Sequence, residues 1–148
     1  MPSPPACWTG WPASTMPPEQ RPRDVLGRPL PLDADPSLAV AGIPEHARDS
    51  DAAAWLEAVA YLEGDRPFHA HEVFEMRWRA APSDTRAAWR GLAQWGAALT
   101  HRARGNDVGA ARLADRALRT LADAPRIPPD VDLDRVTSSC LELGATLG

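Results

Sequence analysis

Phe68-His-Ala-His-Glu-Val-Phe-Glu-Met-Arg-Trp78 is the stretch whose reading decides the rest of the chain. At 100° per residue, Phe68, His71, Phe74, Glu75 and Trp78 fall on one side of a helix. The three aromatic residues suit a core. His71 and Glu75 sit among them one turn apart, where leucines are the ordinary choice. Pro67 belongs in the first turn of this helix, where its missing N–H does no harm, and Asp65 is placed to cap it. The helix is expected to run to about Ala80 and to stop at Pro82.

Working outward, helical signals continue in both directions. On the N-terminal side, Asp49, Ser50 and Asp51 offer N-caps to a helix carrying Trp55, Val59 and Leu62, which Gly64 ends. On the C-terminal side, Pro82-Ser-Asp84 caps a third helix from about Thr85 to Ala103. Ala88, Leu92, Trp95 and Leu99 form one face of it. Its opposite side, Gly91, Gln94, Ala98 and His101, is small or polar rather than charged, as in a helix held between neighbours. Gly105-Asn106 supplies a stop and a new N-cap. Ala110, Leu113, Ala114, Ala117, Leu118 and Leu121 then form the stripe of a fourth helix. Pro125, Pro128 and Pro129 break it, and Leu133, Val136, Cys140 and Leu143 are spaced for a short final helix. No strand-like alternation of useful length occurs. The expected fold is all-α, a compact bundle of four to five helices.

Residues 1–45 hold 11 of the 16 prolines and show no sustained periodicity. Such a stretch cannot form a helix interior or a sheet interior. It is expected to be a proline-rich N-terminal arm, partly disordered, in front of a helical domain at 46–148. Within it, Arg21–Pro31 has enough apolar content to lie on the folded body, Met16 is a candidate start, and Trp8 and Trp11 have no evident structural task.

The chain has 148 residues and a net charge of −4, with no basic surplus for nucleic acid. Charge is unevenly placed: residues 66–116 carry 9 Arg against 5 Asp and Glu, while residues 1–65 carry 4 Arg against 10. The central helices are therefore electropositive, as solvated faces paired with acidic flanks or as a seat for a small anionic ligand. Cys7 and Cys140 have neither zinc-ligand spacing nor a disulfide framework, and Cys140 reads as a small core residue. No apolar run approaches the ~20 residues that cross a bilayer. Without a signal peptide, a cytoplasmic location is the expectation.

Two motifs in order resemble domain-of-unknown-function family 309. The first is Gly64-Asp-Arg-Pro-Phe-His-Ala-His-Glu-Val-Phe-Glu-Met-Arg-Trp78. The second is Gly91-Leu92-Ala93-Gln94 followed by His101 and Gly105-Asn106, continued by Gly109-Ala110 and Leu113. The resemblance spans about residues 50–122, and Arg21–Pro31 is similar to the leader of actinobacterial members. It implies a small all-helical bacterial or archaeal protein and carries no established activity. Phe74 stands where the family often has Trp or Leu.

If the second and third helices form an antiparallel hairpin, with Gly91 and Ala98 allowing close approach, then His71, Glu75, Gln94 and His101 converge. Glu72 and Arg79 flank that face. Buried and unpaired, such groups would cost several kcal/mol, so each needs a partner. A hydrogen-bonded network that fixes helix register is the first reading of the cluster. A pocket for a small organic or anionic ligand is the second. His71 and Glu75 as shared metal ligands come third, because Glu75 stands where the zincin motif needs His and no paired Glu-x-x-His exists in the core helices. Acid–base catalysis comes last.

His69, 100° from Phe68, is expected to be exposed, and His46 to be incidental. Ser83, Ser138 and Ser139 have no nucleophile elbow around them. Trp55, Trp78, Trp89 and Trp95 are expected in the core. Ala97–Leu121 has the small-residue look of a tetratricopeptide-type hairpin, without a second copy. The sequence thus supports a helical binding module with its site at His71 and Glu75, needing no cofactor. The alternative is a structural or interaction protein, forming a homodimer or docking a partner, in which the same cluster is architectural.

Overall fold

A computed structural model describes residues 23, 24, 26–28 and 50–145. Its contacts divide the chain into two units, Met1–Ala41 and Gly42–Gly148. In the first, the Asp24 carboxylate accepts from the backbone N–H groups of Leu26 and Arg28, both at 2.9 Å, and closes a tight turn. Gly27 supplies its left-handed backbone at φ 77°. Of Arg21–Pro31 only residues 23, 24 and 26–28 are described, and Cys7, Trp8, Trp11, Met16 and His46 lie outside the described residues.

The second unit holds five helices: α1 (Asp51–Glu63), α2 (Pro67–Ala80), α3 (Ser83–Ala103), α4 (Asp107–Asp123) and α5 (Leu133–Ala145). No strand occurs among the described residues, and the fold is an all-α compact bundle. Ser50 caps α1 by accepting from the Ala53 N–H, and Asn106 caps α4 by accepting from the Gly109 N–H. Two helix starts differ from the sequence reading. Asp65 does not cap α2: it takes the left-handed conformation, φ 59°, that turns the chain out of α1, which leaves Arg66 as a cap without a side-chain bond. Helix α3 begins at Ser83, two residues before Thr85, with Pro82 as its cap.

Helix α3 is the central element, packed against α2 on one side and α4 on another, with α1 on α2 and α5 on α4. Ten of its residues are buried, over a wide arc of the helix that leaves out the face of Arg86, Arg90, Gln94 and His101. Phe74 is the aromatic hub, its ring centroid 6.3 Å from Trp55, 6.2 Å from Trp89 and 5.9 Å from Trp95. Helix α1 reaches α3 through long side chains: the Trp55 ring lies 6.4 Å from Trp95, and the Trp89 indole donates to Asp51. The Trp95 indole donates to Ser139 Oγ at 2.8 Å and ties α5 to α3. Buried indoles need such acceptors. Trp55, Trp89 and Trp95 are core residues as expected, whereas Trp78 is only half-buried.

The candidate functional site

Helices α2 and α3 run antiparallel, and the contact that sets their distance is at Gly96. A Cβ on Gly96 would lie 2.8 Å from the Cα of His71. Gly91, expected to serve this approach, faces α4 instead: a Cβ there would meet Leu121 Cγ at 2.8 Å. Thr100 donates to the Gly96 carbonyl at 2.8 Å, a back-bond within α3 beside the crossing.

Around His71 the surface dips twice. One recess, about 140 Å³, is lined by His71, Glu75, Trp78, Arg90 and Gln94, with Leu113 of α4 at its edge. The other, of similar size, is lined by Phe68, His71, Thr100, His101 and Arg104. The four residues expected to converge are thus brought onto one seam but not into one cluster. Glu75 and Gln94 lie on one side of His71, and His101 lies on the other. Glu72 and Arg79 line, with Glu75 and Met76, the outer flank of α2.

Within the seam, His71 Nε2 stands 3.4 Å from Glu75 Oε1, and Glu75 Oε2 stands 3.9 Å from the exposed Arg79 guanidinium. Both Glu75 pairs are internal to α2, at i,i+4, so neither links two helices. The His71 side chain is 21% exposed and that of Glu75 36%, so both are reachable from solvent. Burial pushes the His71 imidazole below its ordinary 6.5; the Glu75 carboxylate opposes this and the Arg104 guanidinium adds to it. The ring is therefore neutral at pH 7. Gln94 Oε1 is buried and accepts no hydrogen bond from any described residue. His101 accepts at Nδ1 from Asn106 Nδ2 at 3.0 Å, and Asn106 in turn caps α4, so His101 also serves the α3–α4 turn.

A further expectation is overturned. His69 is 3% exposed, not exposed, with its ring 5.3 Å from Tyr61. It is off the α3-facing side of α2, as the helical wheel says, but that flank is covered by α1. The sequence reading also missed the polar tie that joins three helices. Arg77 Nε and Trp89 Nε1 both donate to Asp51 Oδ1, each at 2.9 Å. Arg90 and Arg104 at the recesses were missed as well. Arg90 stands one turn before Gln94 on α3, which is the signal that could have found it. As metal ligands His71 and Glu75 would act alone, since no group of three or more His, Cys, Asp or Glu forms among the described residues.

The molecule is thus an all-helical bundle with an open polar seam between α2 and α3. Residues 55–113 match the family model described as Domain of unknown function (DUF309). The match covers both motifs and every residue of the seam. No curated protein and no solved structure matches the chain. No helix among the described residues is long and apolar enough to cross a membrane.

Proposed function

We propose that the protein is a binding module, and that the recess between His71, Glu75, Arg90 and Gln94 accepts a small polar ligand carrying negative charge for Arg90. The observation that supports this most is Gln94 Oε1, a buried acceptor with no donor at the wall of an open recess. A buried amide oxygen left this way costs about 1–3 kcal/mol, which a bound donor would recover. The register-fixing reading has less support, because the His71–Glu75 and Glu75–Arg79 pairs lie within α2, whereas the bonds of Asp51 to Arg77 and Trp89 and of Trp95 to Ser139 join different helices. At about 140 Å³ the recess is far below the ~300–1,000 Å³ of pockets for larger organic ligands. The setting we propose is the bacterial cytoplasm.

The test is a panel of sodium acetate, sodium phosphate, methylammonium chloride, glycine and the chlorides of magnesium and zinc. Each is added to the full chain while the Trp78 indole N–H is followed by NMR. A saturable shift with at least one of them, absent in His71→Ala, is expected. Silence across the panel counts against a binding module. Self-association is a second reading, favoured by the exposed Leu56 and Leu141, and requires a melting temperature that rises with protein concentration.

A further inference from the structure

We infer that the ligand is a small zwitterion, an ammonium and a carboxylate on one short carbon frame, such as a free α-amino acid. This rests on the reading of the recess as a binding site. The recess has two poles. Glu75 and the unpaired Gln94 Oε1 form an acceptor pole, and both want N–H donors. Arg90 forms the donor pole: it is exposed and has no ion-pair partner among the described residues.

Arg90 and Gln94 are one turn apart on α3, so their Cβ atoms are about 5–6 Å from each other. A ligand that touches both must place its donor and its anion a few bonds apart. An ammonium and a carboxylate on one carbon meet that requirement. The half-buried Trp78 also lines the recess and offers a π face from which an ammonium gains.

Single charges fit less well. A bare anion at Arg90 would meet the Glu75 carboxylate and the Gln94 oxygen with no donor of its own. A bare amine at Glu75 would compete with Arg79, already 3.9 Å from that carboxylate, and would leave Arg90 unused. The neutral His71 ring adds no charge to either pole, and it stands 3.4 Å from Glu75 Oε1. The small volume limits the ligand to the head group and a short side chain.

The experiment compares glycine and L-alanine with acetate and methylammonium at equal ionic strength. The Trp78 indole N–H and the Gln94 side-chain NH2 of the full-length protein are followed by NMR. The zwitterions are expected to bind about tenfold more tightly than either single-charge probe, a gap that one charge-assisted hydrogen bond supplies. Arg90→Ala and Gln94→Ala should each weaken glycine by about the same factor, while Gln94→Glu, which keeps the acceptor, should not. Acetate or methylammonium equalling glycine would overturn the zwitterion and leave the binding module standing. Silence from every probe in the wider panel would remove both.

Discussion

The backbone of α2 touches α3 at His71 and Gly96, where a Cβ on the glycine would sit 2.8 Å from the histidine Cα. The residue around which the candidate site is built is thus also a point where the backbones of the two helices come close. Site geometry and helix packing are set by the same contact.

Replacing Gly96 by Ala should therefore separate α2 from α3. Overpacking of this kind costs about 1–3 kcal/mol, more than the ~1 kcal/mol that Ala gains over Gly in a helix. Urea unfolding should show a net loss for Gly96→Ala. Gly91→Ala should lose less, because the atoms it meets at 2.8 and 2.9 Å are on the side chain of Leu121, which can rotate. Equal stability of Gly96→Ala and wild type would refute the close approach.

The His71 ring should make stability depend on pH in one direction. Its folded pKa lies below the ordinary 6.5 because burial disfavours the imidazolium. The unfolded chain therefore takes up this proton first as pH falls. Stability from the buried neutral ring is present above about pH 6.5 and is lost progressively as pH drops toward the folded value. The stability difference between wild type and His71→Gln should change through that window, and the His71 Cε1 proton should titrate with a midpoint under 6.5. A midpoint above 6.5 would mean that Glu75 outweighs burial.

How much of this could be read in the sequence depended on the range of each signal. Helices α2, α4 and α5 were legible because their apolar spacing and their prolines or caps are local. The seam was legible as His71, Glu75 and Gln94, since polar residues on an apolar face stand out at helical spacing. The wheel alone could not say which neighbour covers which face. This is why His69, which packs toward α1, was expected in solvent, and why Gly91 was assigned the contact that belongs to Gly96. The tie from Asp51 to Arg77 and Trp89 crosses 26 and 38 residues, and no local pattern marks it.

Cys140 should be chemically silent in the folded protein. It is 1% exposed, and burial raises its thiol to about 11, so almost no thiolate is present at pH 8. In a Cys7→Ser background, a thiol reagent should react only after denaturant is added. Prompt labelling of the native protein would show that α5 opens readily from α4.

The central claim is that the polar architecture resides in Asp51, Arg77 and Trp89, while Gln94 belongs to a site. Urea unfolding of Asp51→Ala beside Gln94→Ala tests it most directly. Asp51→Ala strips the shared acceptor from a buried guanidinium and a buried indole, and should cost about 3 kcal/mol, the partial exposure of the carboxylate keeping it near the low end of buried pairs. Gln94→Ala removes an orphaned acceptor and a poorer helix former, and should leave stability within about 0.5 kcal/mol of wild type or above it. The opposite order, with Gln94→Ala the more damaging change, would contradict the account and return the seam to architecture.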